Sequence, residues 1–203
     1  MGRLILPKTY LDTDDNLLIF LAGPIRGTYP WHDEAVKIIS SIDSRIYIVS
    51  PNRNIKDEHF GKVVLGNKEK FSRQLEWERY YLNKSSVNGA IMFWLAKQTH
   101  EMYVDELSRF PAPYARDTRQ ELGGWGWGPL AYDKAFPVVV GGEDEFPGFD
   151  VIKRNFIAVK PDMNFYSSLE ETCFRAVIMA GLRNFNSKKK SKTSEYPKLR
   201  FIK

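Results

Sequence analysis

The stretch Leu17-Leu18-Ile19-Phe20-Leu21-Ala22 is apolar without interruption and stops at Gly23-Pro24. A run with no polar alternation reads as a strand covered on both faces, the kind that builds parallel sheets. Trp31, Ala35, Ile38, Ile39 and Ile42 then recur at helical spacing, and Arg45 to Val49 returns to a strand that ends at Ser50-Pro51-Asn52-Arg53, completing a βαβ unit. The rhythm continues with a helix over about residues 71–84, a strand from Ala90 to Leu95, and a short helix after Asp117. A strand follows from Phe136 to Val140, closed by Gly141-Gly142, then a weaker strand from Phe156 to Val159 and a last helix from about Ser167 to Leu182. Strands alternating with helices predict an α/β fold, doubly wound, with a mainly parallel sheet of five strands and helices on both faces. Ligands of such sheets sit beyond the C-terminal strand ends. Two long connections, Lys56 to Lys70 and Lys97 to Arg116, each follow a predicted strand and so belong to that edge.

Composition narrows this picture. A chain of 203 residues, 43% hydrophobic, supports one core, assigned to residues 1–185, with a basic, flexible tail over 186–203. Cys173 is the single cysteine, which excludes a disulfide framework or a cysteine zinc site within one chain. The amino terminus lacks a signal-peptide core, and no apolar run approaches the roughly 20 residues of a membrane span, so a cytoplasmic protein without membrane contact is expected. Residues 183–203 hold eight Lys and Arg against Glu195 alone, so the net charge of +5 belongs to the tail and the body is slightly acidic. A like-charge run among Ser and Thr reads as a solvated end in preference to a nucleic-acid contact.

The chemistry is carried by carboxylates. In Asp117-Thr118-Arg119-Gln120-Glu121-Leu122-Gly123-Gly124, Thr118 and Glu121 have capping-box spacing, which is the structural explanation for Glu121. Gly123, Gly124, Gly126 and Gly128 argue against a purely structural helix, because each costs about 1 kcal/mol relative to Ala in a helix interior. Glycines suit close approach of backbone to a ligand or to another element. A carboxylate in the first turn is expected to be kept ionised by the helix dipole. Glu78 falls on the stripe of Phe71, Leu75 and Leu82, an inward position that is expensive for a charge unless it is paired, for instance with Arg53, or lines a cavity; Gln74 points the same way. Gly23-Pro24-Ile25-Arg26-Gly27 follows the first strand as an oxygen-binding turn but lacks the spacing of dinucleotide sites and the Lys of a P-loop. His32, His59 and His100 have no ligand spacing, and no nucleophile-elbow serine motif occurs, so neither a metal nor a cofactor is expected.

Taken in order, Ile19 to Ile25 with Trp31, Ser50-Pro51-Asn52-Arg53, Gln74-x-x-Trp77-Glu78, Ile91-Met92-Phe93-Trp94, Glu121-Leu122-Gly123 and Pro137 to Gly141 resemble the nucleoside 2-deoxyribosyltransferase family over residues 17–142. The resemblance implies a flavodoxin-like fold, nucleoside and nucleobase substrates, and a homo-oligomer in which a neighbouring subunit completes each site. It implies that Glu121 attacks the anomeric carbon and that a second base displaces the covalent deoxyribosyl-enzyme, in parallel with a retaining glycosidase. By the same carry-over Glu78 contacts or protonates the base, and Asp117 is the candidate for the second acidic residue, with Arg119 beside it. Ala22, Gly23, Pro24 and Ile25 line the sugar, Asn52 and Gln74 are counted among the substrate-binding residues, and Phe93 and Trp94 approach the base. Two alternatives stay open. One is an N-glycoside hydrolase of nucleosides or their 5′-monophosphates, with Arg26, Arg53 or Arg119 on the phosphate. The other is a non-catalytic nucleotide-binding module on the same edge.

Overall fold

The computed structural model describes residues 3–12, 16–53, 55, 70–101 and 113–193, with side chains to residue 182. Six strands, β1 (Arg3–Ile5), β2 (Leu18–Ala22), β3 (Tyr47–Val49), β4 (Gly89–Leu95), β5 (Val138–Gly142) and β6 (Phe165–Tyr166), form one sheet in the order β1-β3-β2-β4-β5-β6. Every pairing is parallel. Without β1, the order is that of flavodoxin-type sheets, 2-1-3-4-5, in which the chain reverses its direction of winding between the first and third strands, here β2 and β4. The helices are α1 (Trp31–Ile42), α2 (Gln74–Asn88), α3 (Arg116–Leu122), α4 (Gly128–Tyr132), α5 (Phe149–Val159) and α6 (Leu169–Thr193).

Alternation along the central strands sorts the core into two halves. Leu18, Phe20 and Ala22 of β2 join Trp77 and Tyr81 of α2, Leu122 of α3 and Phe156 of α5. Ile19 and Leu21 face the other way, onto Trp31 and Ile39 of α1 and Cys173 and Ala176 of α6. All five residues of β2 and all seven of β4 are buried, which is why both runs are apolar throughout. Among the described residues no helix is long and apolar enough to cross a membrane.

The structure revises several sequence expectations. The sheet is wholly parallel and has a sixth strand, β1, too short at three residues to leave a periodic signal. Phe156 to Val159 is the end of α5 and no strand: Phe149, Ile152 and Phe156 are its buried residues, a helical spacing that the short apolar run at its end conceals. The edge strand is Phe165–Tyr166 instead. Gly141 and Gly142 do not close β5 but belong to it, because a Cβ at Gly141 would lie 2.0 Å from Thr172 Oγ1 and one at Gly142 2.7 Å from Leu95 Cβ. Helix α1 turns His32 and Val36 inward and leaves Ile42 40% exposed. The last helix runs past Leu182 to Thr193, into the segment expected to be flexible, with no Gly or Pro to stop it. Residues 194–203, and with them the rest of the tail, lie outside the described residues, as do His59 and most of the two long connections.

The helix after Asp117 is longer than expected and changes pitch. Between α3 and α4 the residues Gly123–Trp127 form a π-helical turn, a device that concentrates at functional sites. Its glycines serve packing: a Cβ at Gly128 would lie 2.3 Å from the Gly123 carbonyl oxygen, and one at Gly126 2.8 Å from Phe156 Cζ, whereas Gly124 has nothing within 4 Å. Opposite effects are therefore expected from one substitution. Gly126→Ala destabilises by about 1–2 kcal/mol, since the Phe156 ring must give way, while Gly124→Ala stabilises by about 0.5–1 kcal/mol through helix propensity. Urea unfolding of the two variants checks the sign of each.

Candidate active site

Three carboxyl groups, Glu78, Asp117 and Glu121, lie within electrostatic reach of one another on α2 and α3. Helix α2 starts at Gln74, held by Glu76, whose Oε2 accepts the Ser72 N–H at 3.1 Å and the Arg73 N–H at 3.3 Å. The Ser72 hydroxyl bond keeps the Glu76 carboxyl below its ordinary pKa. The buried face of α2 is Trp77, Tyr81, Leu82 and Ser85; Leu75 is 53% exposed and Phe71 precedes the helix, so the stripe expected through Phe71 and Leu75 is not the one the helix buries. Glu78 flanks the buried face and is partly covered. Gln74 reaches it directly: its Nε2 donates to Glu78 Oε1 at 2.7 Å and to the Pro51 carbonyl at 3.0 Å, while its Oε1 accepts from Arg53 Nε. Arg53 thus acts on Glu78 through Gln74 and by charge, with no direct ion pair between the two among the described residues. Burial raises the Glu78 pKa, Asp117 adds to the rise, and Gln74 and Arg53 oppose it.

Glu121 sits in the second turn of α3, not the first. The helix opens at Arg116 because Ala115 adopts left-handed geometry, φ 55°, and this places Thr118 inside the helix, buried, rather than at its cap. The capping-box role is thereby excluded, and so is the expected protection of the charge by the dipole, since Asp117 is the acid of the first turn. Burial lifts the Glu121 pKa to about 8, and the neighbouring Glu78 and Asp117 carboxylates push in the same direction. No cation or hydrogen-bond donor among the described residues offsets this. Asp117 itself is 87% exposed beside Arg116, 3.6 Å away.

The other sequence candidates distribute unevenly. Ala22 ends β2 in the core, opposite Phe93. Gly23 follows at φ +151° because a Cβ there would lie 2.3 Å from the Trp94 carbonyl oxygen, and the Pro24 carbonyl accepts Trp31 Nε1–H at 2.7 Å. Ile25 is partly covered and Arg26 exposed. Asn52 is buried beside Ser50, whose Oγ accepts the Asn52 N–H at 3.3 Å. Strand alternation separates Phe93 from Trp94: Phe93 faces the half of the core that contains α2 and α3, and Trp94 the half that contains α1 and α6. Arg119 is committed elsewhere, donating to the Pro147 carbonyl and lying 5.1 Å from the Phe146 ring centre.

A second polar cluster, at the C-terminal strand edge, includes one sequence candidate, Trp94, with Tyr29, Lys97, Tyr114 and Glu143, which the sequence reading does not single out. Trp94 Nε1–H donates to Tyr29 Oη at 3.0 Å, Glu143 Oε2 accepts the Lys97 N–H at 2.8 Å, and Tyr114 Oη–H donates to the Ala96 carbonyl at 2.6 Å. Burial, with Glu143 adding to it, raises the Tyr29 pKa to about 12. Lys97 and Glu143 are the first charged residues after β4 and β5, a positional signal that a strand-end reading could have used. A groove of about 390 Å³ also lies between α1 and α6, lined by Ile38, Ile42, Glu171 and Phe174 among others. It contains none of the candidate residues and lies on the opposite face of the sheet from Glu121. The carboxyl cluster, with the raised pKa values of Glu78 and Glu121 at the edge where this fold binds ligands, is the better site.

No family model matches the chain, and no curated protein matches it significantly.

Proposed function

We propose that the protein cleaves the N-glycosidic bond of nucleosides and transfers the deoxyribosyl group to a second nucleobase through an ester on Glu121. The observation that carries this reading is Glu121 itself, a covered carboxyl with a pKa of about 8, no cationic partner among the described residues, and two more carboxyl groups acting on it. Structural carboxylates are ordinarily paired with cations or hydrogen-bond donors, and displaced pKa values cluster at functional sites.

The chemistry follows from one shared proton. Glu121 holds a proton up to about pH 8, with the charge of Glu78 contributing to that rise, so the two carboxyl groups titrate as a coupled pair. With that proton on Glu78 and the charge on Glu121, a Glu121 oxygen forms a bond to C1′ as the C1′–N bond breaks. The bonding pair goes to the base nitrogen, which takes the proton from Glu78. The nitrogen of a second base then attacks C1′, Glu121 leaves as carboxylate, and the incoming base returns its proton to Glu78. Two displacements preserve the anomeric configuration. Gln74, bonded to both Glu78 and the Pro51 carbonyl, holds the base-facing carboxyl in place. The motif resemblance over residues 17–142 implies a 2′-deoxyribonucleoside and a free base as the substrates.

Mass spectrometry of the protein with a deoxynucleoside and no acceptor tests the ester. A deoxyribosyl mass on the peptide containing Glu121, discharged by adding a free base, is expected. Free sugar accumulating with no adduct favours hydrolysis without a covalent step and defeats the reading.

A further inference from the structure

We infer that His32 is a positioning residue for the nucleobase end of this site, acting through Ser50 on the turn that sets Gln74 and Glu78. The inference rests on the proposed function for the identity of the ligand, while its structural basis is separate. His32 is the second residue of α1, 1% exposed, with its ring 3.8 Å from that of Trp31. Its Nδ1 lies 2.8 Å from Ser50 Oγ, itself wholly buried where β3 ends.

Ser50 Oγ accepts the Asn52 N–H and keeps a second lone pair, so its bond to His32 Nδ1 forms with either ring tautomer. Burial keeps the imidazole neutral, lowering the His32 pKa to about 3. Nε2 meets no polar partner among the described residues. The ring therefore holds one buried nitrogen unpaired, which an apolar side chain of similar size would avoid. Only the bond to Ser50 distinguishes His from such a side chain.

From Ser50 the path continues without a gap. Ser50 donates its N–H to the Ile5 carbonyl at 3.1 Å and so ties the turn to β1 as well. The next residue, Pro51, offers its carbonyl to Gln74 Nε2 at 3.0 Å, and the same amide group donates to Glu78 Oε1 at 2.7 Å. Arg53, two residues further on, donates to the Gln74 oxygen. Both ends of the Gln74 amide are thus oriented from the turn that His32 holds, and the Gln74 amide orients Glu78.

Four variants separate positioning from packing, each assayed for binding of a free nucleobase by calorimetry and for base exchange. Asn places an amide atom where His Nδ1 stands and reaches no further, so His32→Asn keeps the Ser50 bond. His32→Gln reaches toward Nε2 and loses it, His32→Phe keeps the ring alone, and Ser50→Ala removes the hydroxyl with almost no change of volume. Roughly tenfold weaker nucleobase binding and an equal rise in acceptor KM, with kcat changed much less, are expected for His32→Gln, His32→Phe and Ser50→Ala, the scale of one lost buried hydrogen bond. His32→Asn should stay within about threefold of wild type. Folded Ser50→Ala with unchanged nucleobase binding overturns the inference, and so does a uniform loss of thermal stability in all four variants without that pattern in affinity. Weaker binding in Ser50→Ala alongside a wild type that binds bases but exchanges none upholds the inference and defeats the transferase reading. A wild type that binds no free base overturns both.

Discussion

Replacing Glu121 with Gln is expected to reduce base exchange at least a thousandfold while leaving the protein folded. The substitution keeps the side-chain volume and removes only the ability to form the sugar ester. Covalent catalysis divides one difficult displacement into two easier ones, and loss of the attacking group commonly removes most of an enzyme's acceleration. The pH dependence adds a second signature. Attack requires the ionised form, and the Glu121 carboxyl of the free protein titrates at about 8. Base departure also requires a proton on Glu78, so the reacting state is the pair holding one proton, and kcat/KM, which reports the free enzyme, falls as that proton is lost above about pH 8. A profile that climbs to a plateau above about pH 8 would mean that no shared proton takes part in the reaction. Retention of more than a tenth of wild-type activity in Glu121→Gln removes it from the reaction altogether. Both results come from one exchange assay run across pH.

The same substitution is expected to stabilise the protein in alkaline solution. Glu121 has a folded pKa of about 8 against an ordinary value of 4.5, so the native state binds the proton more tightly than the unfolded chain does. Its contribution is fully present below about pH 4.5 and is lost as the pH rises toward 8, by at most about 1.4 kcal/mol per pH unit. Glu78, also raised, works in the same direction. Gln carries no charge to desolvate. The variant should melt roughly 5–10 °C above wild type at pH 8 and at nearly the same temperature at pH 4.5, taking a few kcal/mol at 2–4 °C each for a chain of this size. His32 acts with the opposite sign, since its depressed pKa withdraws stability as the pH falls from 6.5 toward about 3. Comparing the two proteins at each pH cancels that contribution. Equal melting temperatures at pH 8 would mean that Glu121 is not held against its own ionisation. A carboxyl kept at such a cost fits the exchange of stability for activity common in functional sites.

Much of the architecture is legible from hydropathy because β2 and β4 are buried on both faces and so appear as unbroken apolar runs. What escapes is what local periodicity does not encode. Phe156 to Val159 is as apolar as a strand, and only Phe149 and Ile152 upstream reveal the helix that contains it. Glu78 stands out in the sequence through a stripe that includes the exposed Leu75, whereas its actual constraint comes from Gln74 and the turn at Pro51. Glu121 was placed one turn too early, because Thr118 has the spacing of a cap while the helix start is set by a left-handed Ala115, a geometry uncommon for a residue with a side chain. Tyr29, Lys97 and Glu143 meet only after β2, β4 and β5 are laid side by side, so their association is a property of the sheet order rather than of any segment.

The π-helical turn has a consequence for how the site tolerates change. An α-helix advances about 100° per residue, so the angular phase of any side chain is locked to that of every other on the same rod. A wider turn between α3 and α4 interrupts that lock. Beyond it Leu130 is set into the core, and within it Gly126 rests against Phe156. Ahead of it, Leu122 and Glu121 keep a phase of their own. The extra residue works as a slip joint, decoupling the bearing of the carboxyl from the seating of the helix that carries it.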